Sequence, residues 1–230
     1  MADFLQNSLF FGVSVSIGAY GIGCVLKKKY KIALFNPLLI SIVLTIGFIQ
    51  FAHVSYGDYY EGAKYLSYLL TPATVALAIP LYEKLGLLKK EWKAILIGIS
   101  SGVLTSLACV FGLGVIFGLS HQEYVTLLPK SITTAIGMGI SEELGGYVTL
   151  TVAVIVITGI LGNVLAESLC RLFHIKEPIA KGIAIGSSSH AMGTAKAMEM
   201  GEIEGAMSSL SIAVAGVLTV IGAAIFANFI

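Results

Sequence analysis

Gly182-Ile183-Ala184-Ile185-Gly186-Ser187-Ser188-Ser189-His190-Ala191-Met192-Gly193-Thr194-Ala195 opens as a membrane helix would and then fails to stay apolar. Three consecutive serines and a histidine, bracketed by glycines, occupy its centre. In hydrocarbon an unpaired N–H or C=O costs several kcal/mol, so a break of this kind survives only where protein or a water-filled cavity satisfies the freed groups. Two other apolar segments are interrupted in the same manner. Tyr65 to Tyr82 carries Thr71-Pro72 and Pro80, and Tyr124 to Ser141 carries Leu128-Pro129-Lys130-Ser131-Ile132-Thr133-Thr134.

Around these broken stretches lie five uninterrupted apolar runs, Phe4 to Leu26, Ile32 to Ala52, Ala94 to Ser120, Tyr147 to Ala166 and Gly205 to Ile230. Each is long enough to cross a hydrocarbon layer of roughly 30 Å. Of the 230 residues 57% are hydrophobic and 12% charged, against the roughly 25% charged that covers a soluble domain. The missing polar surface implies lipid. The expected fold is therefore an all-α polytopic membrane protein, a single membrane domain over 1–230 with about eight membrane segments, some of them broken or re-entrant. No cleavable signal peptide is expected, because Met1 to Asp3 has no positive start. A net charge of +1 gives no reason to expect nucleic acid as a partner. Cys24, Cys109 and Cys170 are scattered singly, so neither a disulfide framework nor a metal site is expected and they read as small buried hydrophobes.

Lysine and arginine favour the cytoplasmic ends of membrane helices. Lys27 to Lys31, Lys84 to Lys93, and Arg171, Lys176 and Lys181 then mark inside loops, leaving Asp58, Glu61, Glu199, Glu202 and Glu204 outside. The count closes if the chain near 124–146 enters and leaves on one side as a re-entrant hairpin. Gly102-Val103-Leu104-Thr105 recurs 114 residues later as Gly216-Val217-Leu218-Thr219. With the charge-based directions this suggests inverted-topology repeats, 32–120 and 147–230, whose discontinuous helices would meet near the midplane.

The breaks are the candidate site. A half-helix beginning after Pro or Gly presents unpaired N–H groups and about +0.5 charge at its start, which suits an anion such as a carboxylate. The substrate-binding candidates are Thr71, Pro72 and Thr74, then Lys130, Ser131, Thr133 and Thr134, then Ser187, Ser188, Ser189, His190, Gly193 and Thr194. Lys130 lies between two apolar halves, where a charge is costly enough to suggest function, although it could also snorkel to the interface. His190 could hydrogen-bond substrate or carry a proton, or it could be a packed neutral histidine. Glu142 and Glu143 read as loop caps beside Gly145-Gly146, and Glu167 with Arg171, four apart, as an interfacial pair. No H-E-x-x-H, G-x-S-x-G or phosphate-loop motif is present, so no enzyme, catalytic residue or cofactor is expected.

From Asn36-Pro37-Leu38-Leu39 through Pro72-Ala73-Thr74-Val75-Ala76-Leu77-Ala78-Ile79-Pro80-Leu81-Tyr82, Leu128-Pro129-Lys130-Ser131 with Thr133-Thr134, and Gly186 to Thr194, the sequence resembles the LrgB/CidB family of bacterial membrane proteins. One departure is Ala135, where a proline is common, which suggests a gentler break there. The resemblance implies one of two functions. One is transport of a small monocarboxylate of the pyruvate, lactate, glycolate or glycerate type by alternating access. The other is antiholin-like control of murein hydrolase activity and lysis, alongside a small holin-like membrane partner of the LrgA/CidA type. It further implies residence in the bacterial plasma membrane, and a homodimer is the expected assembly. The polar breaks lean toward the carrier, with Lys130 as countercharge and His190 as a hydrogen-bonding or proton-coupling group.

Overall fold

A computed structural model describes residues 10–30, 35–76 and 78–230. The chain divides into two compact units at Ala76–Leu77. Among the described residues every regular element is helical.

The first unit holds α1 (Phe11–Tyr30), α2 (Pro37–Phe51), α3 (Tyr56–Ser67) and the short α4 (Leu70–Ala76). α1 packs on both α2 and α3, and the Ser16 hydroxyl meets the Tyr59 hydroxyl at 2.7 Å. The start of α2 is written locally. Asn36 accepts from the Leu38 and Leu39 N–H groups at 2.8 and 3.3 Å, and Pro37 follows at the first helical position, where its missing N–H and fixed φ suit a helix start. Asn36→Ala is expected to lower stability by about 1 kcal/mol, read as a fall in the thermal midpoint of the purified protein in detergent. The segment Tyr65 to Tyr82 is interrupted as the sequence indicates, falling into the end of α3, α4 and α5 (Ala78–Glu83).

The second unit continues with α6 (Leu85–Phe117), α7 (His121–Leu127), α8 (Thr134–Glu143), α9 (Val148–Leu172), α10 (Pro178–Met200), α11 (Glu202–Phe226) and a terminal 3-10 turn, Ala227–Phe229. Among the described residues, α6, α9 and α11 with its terminal turn are long and apolar enough to cross a membrane. They correspond to the runs 94–120, 147–166 and 205–230, and large apolar side chains such as Leu104, Ile157 and Val217 point outward from them, as lipid contact requires. The chain is thus a membrane protein. α6 bends at Glu91, whose φ and ψ are −107° and 17°.

Contacts fix the direction of each element. At one end Lys84 on the threshold of α6 binds Glu202 at 2.9 Å, and this hydrogen bond holds its ammonium above the ordinary lysine range. Lys181 meets Glu204 at 3.7 Å and Lys196 meets Glu167 at 3.3 Å at the same end. At the other end the Tyr124 hydroxyl donates to the Phe226 carbonyl at 3.0 Å, and the Phe111 and Phe229 rings lie 5.5 Å apart. α6 and α11 therefore run the same way and α9 runs against both.

Two expectations change here. Glu199, Glu202 and Glu204 sit at the same end as Lys84, Arg171 and Lys181, not on the opposite side, because α10 does not cross. It reverses at His190, whose φ of 44° and ψ of −142° end one helical arm and start another. The inbound arm lays Gly182 against Glu204 and Met207, and the returning arm lays Met198 against Gly205. The second change concerns the echo of Gly102-Val103-Leu104-Thr105 in Gly216-Val217-Leu218-Thr219, which links parallel helices, so that pairing is not inverted. The opposed pair is a different one: α6 followed by the α7–α8 segment, and α9 followed by α10.

Candidate functional site

The α7–α8 segment goes in from the Phe117 end and comes back. Ser120 opens α7 with a capping box, its N–H donating to Glu123 Oε2 at 2.9 Å while the Glu123 N–H reaches the Ser120 hydroxyl at 3.4 Å. α7 lasts seven residues and α8 ten. On the way back the Gly146 end closes on Thr126, whose hydroxyl accepts from the Tyr147 N–H at 2.8 Å and whose carbonyl accepts from the Thr151 hydroxyl at 2.9 Å. The reversal falls at Leu128 to Thr133, and its tip reaches Ser106 on α6.

Lys130 stands at that tip. Its ammonium donates to Ser106 Oγ at 3.2 Å and Ser131 Oγ at 3.0 Å, and the two serines are 3.1 Å apart. No carboxylate pairs with Lys130 among the described residues. The tip of α10 arrives from the opposite end of the unit at nearly the same level. An added Cβ on Gly102 would lie 2.7 Å from Ser187 Oγ, and Gly102 precedes Ser106 by one helical turn, about 6 Å along the axis. The two tips and the middle of α6 enclose a cleft of about 380 Å³, lined by Ser101, Gly102, Thr105, Ser106, Cys109, Lys130, Ser131, Ala184, Ser187 and Ser188.

Four of the sequence candidates, Lys130, Ser131, Ser187 and Ser188, line this cleft. Thr133 and Thr134 instead begin α8 outside the lining. Ser189 is buried where α9 approaches closely at Gly162, and Thr194 is buried against Ser208 at 2.7 Å. Gly193 is buried between Ser189 and Ile185, where the two arms of α10 meet. His190 is also buried away from the cleft, with Nε2 at 3.1 Å from the Ile155 carbonyl of α9. A carbonyl only accepts, so Nε2 carries the hydrogen. In a residue other than glycine the positive φ of His190 is a strained conformation that its surroundings must hold. Its position is that of a brace for the hairpin rather than of a group facing a ligand. Thr71, Pro72 and Thr74 belong to α4 of the first unit; Pro72 is exposed, and the side chains of Thr71 and Thr74 lie outside the described residues.

The physical basis of the site also differs from the one expected. The lining presents the last turn of the inbound α10 arm, not a half-helix N-terminus. Ser187 and Ser188 donate back to the Ile183 and Ala184 carbonyls, both at 2.7 Å, so their hydroxyls offer lone pairs to the cleft. The available donors can be counted. Two of the three Lys130 protons are used on serines, one hydroxyl proton of the Ser106–Ser131 pair is used between them, and Thr105 makes no hydroxyl hydrogen bond among the described residues. What remains is one ammonium proton and two hydroxyl protons, arranged around one positive charge.

Cys109 is exposed in the cleft wall, Cys24 is exposed as well, and only Cys170 is buried; the burial expected for the first two is not met. Ala135 sits in the first turn of α8, where a proline would also be tolerated. The break is therefore made upstream, at Leu128 to Thr133.

The sequence profile of the LrgB-like family matches residues 16–229. The chain belongs to the LrgB-like family. It is 40% identical over 222 residues to the antiholin-like protein LrgB of Bacillus cereus (strain B4264), covering 96% of each chain. The same figures hold for the antiholin-like protein LrgB of Bacillus anthracis (strain A0248). No solved structure matches the chain.

The matched span of the LrgB-like chain includes both hairpin tips and the α6 wall. That wall is what sequence reasoning missed. Ser101, Thr105 and Cys109 recur every fourth residue, with Ser106 beside them. This is one face of a helix, written in the small residues that membrane helices also use merely to pack closely. Only the lysine opposite distinguishes it.

Proposed function

We propose that this LrgB-like protein carries a small monocarboxylate across the bacterial plasma membrane by alternating access, without catalysis or a cofactor. The observation behind this reading is Lys130. It is a cation with no acidic partner among the described residues, set between two opposed hairpin tips in a cleft of about 380 Å³. An intramembrane charge is costly, and a single negative charge with two acceptor oxygens would match the remaining donors. A dicarboxylate would bring a second charge with no cation to meet it. The cleft lies within the size range of small-ligand sites.

Opposed hairpins, each reached by its own end of the unit, are a suitable pair of gates, since movement of one opens the cleft to one side while the other keeps it closed. Every lysine and arginine of residues 77–230 apart from Lys130 lies at the end where α6 begins, so that end is assigned to the cytoplasm. The α7–α8 hairpin then re-enters from outside and α10 from inside. A homodimer remains the proposed assembly.

Purified protein in liposomes should take up labelled pyruvate, lactate, glycolate or glycerate with saturation and mutual competition. If none is transported while an unrelated small dye escapes, the carrier reading is lost. The names of the relatives favour a second reading, antiholin-like control of murein hydrolase activity with a small holin-like membrane partner. Under that reading the protein should change lysis of cells expressing the partner while showing no saturable uptake alone.

A further inference from the structure

A second cavity, of about 580 Å³, lies at the lysine-rich end of the unit, between the end of α9, the α9–α10 connection and the two arms of α10. It shares no residue with the central cleft. Four cations from three places in the chain converge on it: Arg171 of α9, Lys176 of the connection, and Lys181 and Lys196 of the two α10 arms. His174 adds a ring, in a left-handed conformation with φ of 54° that ends α9. Two carboxylates, Glu167 and Glu199, also line it, and both are engaged. Glu167 takes Arg171 and Lys196, and Glu199 takes Lys196 at 3.2 Å. Lys181 reaches Glu204 at 3.7 Å, whereas Lys176 forms no ion pair among the described residues.

The lining side chains are four cations against two anions, and with Glu204 beside Lys181 the local balance is +1 with histidine neutral. Arginine and lysine only donate hydrogen bonds, and they approach from separate elements rather than from one loop. We propose that this cavity binds a phosphate-bearing anion. A carboxylate offers only two acceptor oxygens to the set, whereas a phosphate offers three or four to a fork-shaped guanidinium and several ammonium groups. The room exceeds that of phosphate alone, so the phosphate is one part of a larger molecule, either a soluble phosphorylated compound or the headgroup of an anionic lipid, which basic pockets at the cytoplasmic face can recognise. Such a ligand would draw Lys196 from Glu167 and so act on the returning arm of the hairpin whose tip closes the central cleft. The binding claim does not depend on what the central cleft carries.

The test uses the full-length protein in two settings. In neutral detergent, inorganic phosphate is titrated against chloride at matched ionic strength while the thermal midpoint is followed. Separately, the midpoint is compared in discs of phosphatidylcholine with and without phosphatidylglycerol. A saturable rise with phosphate, weakened about tenfold in apparent affinity by Lys176→Gln, establishes the site for soluble phosphates. A rise confined to phosphatidylglycerol discs and lost in Lys176→Gln assigns the headgroup instead. Lys176 is exposed in the connection, so this variant should fold, and Arg171→Gln supplies an independent second variant. If neither phosphate nor phosphatidylglycerol raises the midpoint, or if both variants respond as the parent does, the proposal is overturned.

Discussion

Replacing Lys130 with methionine is expected to abolish carboxylate uptake while leaving the fold intact or more stable. Methionine matches the apolar stem of lysine and is one atom shorter, so the variant removes the charge with little change in shape. Truncating one partner of a desolvated charge pair costs about 2–5 kcal/mol, which for a bound carboxylate is more than about thirtyfold in affinity. Stability should move the other way. Lys130 has two serine hydroxyls and no carboxylate among the described residues, and an uncompensated charge in a low-dielectric setting is a burden on the folded state. The measurement is paired: initial rates of uptake in liposomes, and the thermal midpoint in detergent. Lost uptake with an unchanged or higher midpoint supports a binding role. A fall in midpoint that accounts for the lost uptake would make Lys130 a structural residue.

The sequence makes the location of this lysine legible. A Pro-Lys-Ser sequence inside an apolar stretch already implies a break that protein or water must satisfy, and α7 and α8 indeed stop on either side of it. The three long spans are equally plain, because their length and apolar composition are those of helices that cross a hydrocarbon layer. The reversal of α10 is less visible. Its pivot is His190, and a left-handed histidine has no local signature comparable to Gly or Pro, while the residues on both sides continue a helical pattern. The charge rule alone therefore puts Glu199, Glu202 and Glu204 on the wrong side. Their pairing with Lys84, Lys181 and Lys196 is a tertiary fact that charge counting along the chain does not contain.

A similar limit applies to His190. Sequence places it among serines at a break, and both a ligand contact and a packing role suit that setting. The distinction comes from the carbonyl of Ile155, a residue 35 positions earlier, which takes the ring's hydrogen. Ile155 also covers Gly137 of α8 with its side chain. α9 thus touches both hairpins through one residue, and the geometry of the cleft depends on how closely the helices around it approach one another.

That dependence gives the second large effect. Gly186→Ala is expected to destabilise the protein and to reduce uptake, although Gly186 does not line the cleft. Its added Cβ would lie 2.8 Å from the Ser208 Cα, against the α11 backbone, and 2.8 Å from the Ser211 Cβ. Backbone cannot rotate aside as a side chain can, so the inbound arm must shift, and overpacking of this kind costs about 1–3 kcal/mol. Ser187 and Ser188 follow immediately and would move with the arm, away from Lys130. Gly112→Ala on α6 is the control, because nothing lies within 4 Å of its added Cβ; on helix propensity it should be neutral or stabilising by up to about 1 kcal/mol. Thermal midpoints and uptake measured together separate the two cases. A Gly186→Ala protein that melts and transports like the parent would mean that the inbound arm is free to move off α11, and that the hairpin contact does not set the position of the cleft wall.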